Sequence, residues 1–278
     1  MATMVGNVLI VVLVVIDKKL HNPMYFFLGN LSCLESCYSS TVLPRMLFSF
    51  LTGDKTLSMA GCMTQFYLCA SLVSSECYLF AMMSYDHYVA ICKPLRYTTL
   101  MNDRLCLQLA AGSWVNRFMV MSVLLYLMLR MTFCGPNIID HFFCDLTPLM
   151  KLSCSNIHKM ELANYITAPL LTLPPFILTI TSYVSIISTI VNIPSTTGRK
   201  KAFSTCSSHL IVVTIFYGTI IVVYVLSKTP TLKELNKVFS VFYSFLTPLV
   251  NPLICILRNR EVKDALEKMC WKIYVLEK

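Results

Sequence analysis

Charge is what this chain has least of. Asp, Glu, Lys and Arg make up 13% of its 278 residues, about half the share of an ordinary water-soluble domain. A soluble protein of this length would need a polar surface around its core, and this composition cannot supply one. With 56% hydrophobic residues, the remaining solution is that lipid covers much of the outside. Dense basic runs interleaved with aromatics are also missing. The longest basic cluster is Arg199-Lys200-Lys201, which excludes a nucleic-acid-binding reading. The five histidines (His21, His87, His141, His158, His209) are scattered with no metal-ligand spacing, and no catalytic constellation is visible. The expectation is therefore no enzyme, no metal and no cofactor. The chain has no internal repeat, no low-complexity segment and no soluble domain. The first sixteen residues lack the basic leader and small-residue cleavage site of a signal peptide.

What is present is a series of apolar stretches: 1–16, 24–51, 59–91, 105–129, 161–193, 203–226 and 238–257. Each is taken as a membrane helix, giving an all-α seven-transmembrane bundle that forms one domain over 1–278. The first stretch falls short of the roughly 20 residues needed to cross and is expected to be an incomplete first helix. The others tolerate tilt or extension beyond the bilayer. After the last stretch, Leu257, Val262, Leu266 and Met269 fall near helical spacing between Arg260, Lys263 and Lys268. That pattern predicts a short amphipathic C-terminal helix lying on the membrane.

Orientation follows from Lys and Arg in alternate connections. One side holds 14 of them, including Lys18, Lys19, Lys93, Arg96, Arg104, Arg199–Lys201 and six in the tail; the other holds 7. The richer side should be cytoplasmic. The N-terminus is then outside, the C-terminus inside, and the 130–160 connection extracellular. Cys62, Cys134, Cys144 and Cys154 share that oxidising side. They imply two disulfides, for which sequence alone allows three pairings. Cysteines inside the spans (Cys33, Cys37, Cys69, Cys77, Cys206, Cys255) read as small hydrophobes.

Four motifs occur in order: Leu20-His21-Asn22-Pro23-Met24-Tyr25-Phe26-Phe27-Leu28, Met83-Ser84-Tyr85-Asp86-His87-Tyr88-Val89-Ala90-Ile91-Cys92, Lys201-Ala202-Phe203-Ser204-Thr205-Cys206-Ser207-Ser208-His209-Leu210 and Pro248-Leu249-Val250-Asn251-Pro252. Together they resemble the olfactory receptors of the rhodopsin-like G-protein-coupled class, over nearly the whole chain after Gly6-Asn7. The resemblance implies a plasma-membrane receptor for small, volatile, mostly hydrophobic odorants. It also implies a stimulatory heterotrimeric G protein as partner, and cyclic AMP as output. It implies the pairings Cys62–Cys144 and Cys134–Cys154. It places the odorant pocket at Cys69, Ala70, Val73, Ser74, Thr167, Tyr217, Ile220, Ile221, Tyr224 and Ser244. Activation and G-protein coupling are implied for Asp86, His87, Tyr88, Tyr183, Asn251 and Pro252, and a polar core for Asn7, Glu35 and Glu76.

Residue-level reasoning runs beside this. Cys62 and His87 are 25 residues apart, about 37 Å of helix, so they sit at opposite membrane faces. Cys69, Ala70, Val73 and Ser74 share one helical stripe; plain packing by small residues is the bland reading of it. Glu35 and Glu76 are carboxylates inside spans and are costly there. They either bind a cation, share a proton, or sit neutral in a helix contact. The sequence also departs from the family. His87 stands where the family has arginine, Cys255 where it has a helix-seven tyrosine, and Arg117 lies inside the fourth span. The family's extracellular N-terminal segment, which normally carries a glycosylation site, is expected to be absent. Asn30-Leu31-Ser32 falls in a span and is expected to stay unglycosylated. These departures leave a weakly signalling, degenerate receptor as an alternative. A secondary transporter is the outside alternative, disfavoured by the missing repeats and the odd span count.

Overall fold

The computed structural model describes residues 2–54, 56–134, 138–139, 143–224, 246–256 and 259–276. Among them the long elements are all helical: α1 Ala2–Ile16, α2 Pro23–Thr52, α3 Met59–Cys92, α4 Asp103–Leu129, α5 His158–Val191 and α6 Thr196–Tyr224. They are followed by α7 Leu246–Ile256 and α8 Arg260–Leu276. Among the described residues the single β-type contact is an isolated bridge between Phe133 and Ser153 in the long connection.

Local chemistry sets the helix ends. Asn22 starts α2 by accepting from the Tyr25 N–H at 3.2 Å, with Pro23 in the first turn. Gly53 ends it in the left-handed region at φ 72°, where a β-carbon is disfavoured. Ser58 caps α3 through Gly61 N, and Asn102 caps α4 through Leu105 N. The sequence expectation put the sixth helix from 203. It begins at Thr196 instead, because Ser195 accepts the Gly198 N–H at 3.2 Å and nucleates another two turns. The basic cluster is therefore helical. Arg199 Nη2 donates back to the carbonyls of Val191 and Ile193, both at 3.1 Å, satisfying the end of α5.

The bundle is inverted relative to a soluble protein. Along α5, Leu162, Ile166, Leu170, Leu173, Ile177, Ile180, Val184, Ile187 and Val191 are exposed. Their spacing of three and four draws one apolar stripe over about 44 Å of helix. Met119, Val123 and Tyr126 do the same on α4. A stripe of that length is an aggregation liability in water and an ordinary outer wall in lipid. Polar side chains are inside: Asn7, Ser32, Glu35, Ser39, Ser71, Ser75, Glu76, Ser84, Asp86 and His87 are all buried. α3 is the axis. In its most apolar stretch 61% of residues are buried, against 28% in α4 and 33% in α5. The amphipathic helix expected after the last apolar stretch is α8, which runs to Leu276. Val262 and Ala265 face the core, and Lys268 bridges to Asp17 at 3.1 Å.

Candidate functional site

The end of the bundle at Cys62 is closed by the long connection. Cys62 joins Cys144 with Cα atoms 5.4 Å apart, and Cys134 joins Cys154 at 5.8 Å. Gln65 Oε1 accepts the Cys144 N–H at 3.1 Å, seating the connection on α3. Paired bonds Cys134 N–H to Leu152 O and Cys154 N–H to Thr132 O make a small staple beneath the second disulfide.

Just inside lies the stripe singled out from sequence. Cys69 faces α2, with its sulfur 3.4 Å from Thr41 Oγ1. Cys69, Val73, Tyr217, Ile220 and Phe176 all belong to the extended apolar core of the bundle. Tyr217 packs edge-on against Phe176, with ring centroids 4.9 Å apart. Ala70 belongs instead to the cluster beneath the disulfides. Ser74 is half-buried. Thr167 bonds its own helix at Ala163 O. Ile221 is 46% exposed, on the outside of α6. Ser244 and the side chain of Tyr224 lie outside the described residues.

The middle of the bundle holds the polar seam. Asn7, Glu35, Glu76 and Asn251 come from α1, α2, α3 and α7, and all are buried. Asn251 Nδ2 donates to Glu35 Oε1, and Asn7 Nδ2 donates to Pro248 O at 3.2 Å. Asn7 Oδ1, Glu35 Oε2 and Glu76 Oε1 have no partner among the described residues. Gly6 lets α1 approach α7 closely: a β-carbon there would stand 3.1 Å from Pro252 Cβ. Pro252 itself is buried.

Arg117 is fully buried. A charge inside a span must either snorkel or find a partner, and here it finds one. Its Nη2 donates to Leu171 O at 2.9 Å, and its guanidinium lies 3.8 Å from the centre of the Tyr78 ring.

At the end of α3 away from the disulfides, a cavity of about 790 Å³ opens among α2, α3, α6, α7 and the start of α8. Asp86, His87, His209, Lys200, Asn251 and Cys255 are among its lining residues. Asp86 accepts from Tyr97 Oη at 2.9 Å. Burial, then the neighbouring carboxylate, raises the Tyr97 phenol above its ordinary pKa, so it remains a donor at any physiological pH. His87 is buried against His209, ring centroids 5.4 Å apart. Tyr183 Oη lies 2.6 Å from His209 Nδ1. Tyr88 is half-buried between two clusters, with Lys93 Nζ over its ring. Sequence reasoning missed Tyr97 and His209 here. Their partners are on other segments, and the only signal for the second was its place in the motif that runs from Lys201 to Leu210.

One aromatic column joins the apolar stripe to this cavity. Tyr217 contacts Phe216 at 5.2 Å, Phe216 contacts Phe80 at 4.9 Å, and Phe80 contacts His209 at 5.7 Å.

Comparison with known proteins agrees with this architecture. The family model described as "Olfactory receptor" matches residues 1–272. The chain is 47% identical to human "Olfactory receptor 6B1" over 269 residues, covering 97% of this chain and 86% of that one. It is 46% identical to mouse "Olfactory receptor 6Z7" over 270 residues, 97% and 86% of the two. It is 44% identical to human "Olfactory receptor 1C1" over 277 residues, 100% and 88%. The chain belongs to the olfactory receptor family of rhodopsin-like G-protein-coupled receptors, and so is a membrane receptor and not an enzyme.

Proposed function

We propose that this receptor binds a small, volatile, largely hydrophobic odorant between α3, α5 and α6, near Val73, Tyr217 and Ile220. It then signals through a stimulatory G protein to raise cyclic AMP. The observation that carries this reading is the aromatic column from Tyr217 through Phe216 and Phe80 to His209. Packed rings are close to incompressible, so a ligand that displaces Tyr217 has a direct route to the cavity where a G protein would dock. The apolar lining favours an odorant with few polar groups, for which the Tyr217 hydroxyl, without a partner among the described residues, is a hydrogen-bonding group at the site. The polar seam, with its three unpartnered oxygens, supports a proton or cation held between α2 and α3 in the resting state. The excess of Lys and Arg on one side supports a plasma-membrane orientation with the N-terminus outside and the tail in the cytoplasm, surrounded by lipid along α4 and α5.

The test is a cyclic AMP screen of an odorant panel in cells where surface receptor has been measured. A dose-dependent rise with at least one apolar odorant is the expected result. Calcium release without cyclic AMP, through a different G protein, would overturn the coupling while leaving the ligand class standing.

A second reading, weak signalling, is favoured by one observation. Asp86 is held by the neutral Tyr97 hydroxyl, and the next residue is an imidazole. The bidentate guanidinium–carboxylate exchange open to an arginine is therefore missing. The transporter alternative has no support in the family assignment.

A further inference from the structure

We propose that His87 and His209 form a two-histidine site for a divalent transition ion, Zn²⁺ in particular, that ties α3 to α6 at the cytoplasmic cavity. Three observations carry it. The first is geometry. With zinc–nitrogen bonds of about 2.05 Å, ring centres about 1.15 Å beyond the nitrogens and a tetrahedral angle, two imidazoles on one zinc have centroids about 5.2 Å apart. Here they are 5.4 Å apart, with ring planes at 48°. The second is a free ligand atom. His209 is 94% buried, and its Nε2 has no partner among the described residues. The third is the orienting contact. Tyr183 Oη sits 2.6 Å from His209 Nδ1, placed to accept an Nδ1–H and leave the Nε2 lone pair to the metal. Metal-binding histidines are ordinarily oriented in this way.

Both imidazoles line the 790 Å³ cavity, which gives an entry path and room for water at the two remaining positions. No sequence spacing pairs the two histidines, because they lie in separate motifs on helices far apart in the chain. A bridged ion fixes the spacing of α3 and α6 beneath the aromatic column. Its effect on signalling rests on the receptor reading above, whereas its binding does not.

The experiment is Zn²⁺ titration of the full chain purified in lipid nanodiscs, in competition with a chromophoric chelator. Wild type is compared with His87→Arg, His209→Gln, the exposed-site control His158→Gln and the rescue His87→Cys. The expected result is one zinc per receptor whose affinity falls at least tenfold in His87→Arg and His209→Gln. It should be unchanged in His158→Gln and largely restored in His87→Cys, which returns a zinc ligand. Co²⁺ in place of Zn²⁺ should give a tetrahedral visible spectrum that the first two variants lose. Equal zinc stoichiometry and affinity in wild type, His87→Arg and His209→Gln would overturn the site. If the site binds as expected, 100 µM Zn²⁺ should at least halve nucleotide exchange on a co-reconstituted G protein. If that arm alone fails, the ion's effect on signalling is refuted and the metal site is not.

Discussion

Arg117 donates to the carbonyl of Leu171 at 2.9 Å, the one oxygen that Pro175 leaves without its helical donor. In an α-helix the carbonyl of residue 171 accepts from the N–H of residue 175, and proline has none. The charge on α4 and the proline on α5 are thus two halves of one interaction.

That relationship predicts a reversal of sign. In wild type, Pro175→Ala restores the helical donor and leaves the buried guanidinium competing for its acceptor, so apparent thermal stability should fall. In an Arg117→Met background the same Pro175→Ala should raise it, because the carbonyl is then unpaired until alanine supplies an N–H. The coupling in this double-mutant cycle is expected to be about 1–3 kcal/mol. Melting of the four purified proteins in one detergent measures it, and Pro175→Ala shifts of the same sign in both backgrounds would dispose of the pairing.

The two disulfides should differ in weight. Cys62–Cys144 closes a separation of 82 residues and Cys134–Cys154 one of 20. Loop-closure entropy assigns them about 4.5 and about 3.3 kcal/mol. Cys62→Ser should therefore deplete surface receptor more than Cys134→Ser, read by flow cytometry on unpermeabilised cells. Peptide mapping should recover Cys62 linked to Cys144. Recovery of Cys62 linked to Cys134 or Cys154 would refute the pairing.

The stripe on α3 should set odorant response. Val73→Phe adds bulk to the apolar core that also holds Tyr217 and Phe176, and Ser74→Leu removes the hydroxyl next to it in the chain. Each should shift the half-maximal concentration of an identified agonist at least tenfold, about 1.4 kcal/mol, at matched surface levels. Ile221→Ala, on the outside of α6, should shift it less than twofold. Unchanged responses in both α3 variants would remove this stripe from the pocket.

Agonist-driven output should rise in His87→Arg. The arginine fork can pair with the Asp86 carboxylate at rest and leave it on activation, which the buried imidazole cannot do. Adding Cys255→Tyr, which returns a hydroxyl to α7 at the cavity, should raise output further. The cyclic AMP maximum of wild type, single and double variants, normalised to surface receptor, is the measurement. A wild-type maximum equal to that of the double variant would show that this receptor signals without the arginine.

The membrane helices were legible in the sequence because lipid imposes one rule, continuous apolarity over a fixed length. The stretches drawn at 24–51 and 105–129 match α2 and α4 within one and two residues. The start of α6 was not legible, since Arg199, Lys200 and Lys201 break the apolar run while Ser195 still caps the helix. At the candidate sites, single positions such as Arg117 and His87 stood out as departures, but their partners did not. Leu171 offers a backbone oxygen, which no side-chain pattern reveals. Tyr97 and His209 meet Asp86 and His87 only through the packing of other segments on α3. The resemblance places Ile221 in the pocket, and the packing of α6 turns it outward.

The aromatic column has an optical consequence. The chain has two tryptophans. Trp114 is stacked on Phe118 in α4, and Trp271 is 66% exposed on α8. Trp114 is half-buried against the main apolar core, and neither tryptophan is a member of the column. Intrinsic tryptophan emission therefore reports α4 and the tail. Phe216→Trp would place a third fluorophore at the midpoint of the column, read as the difference from wild type.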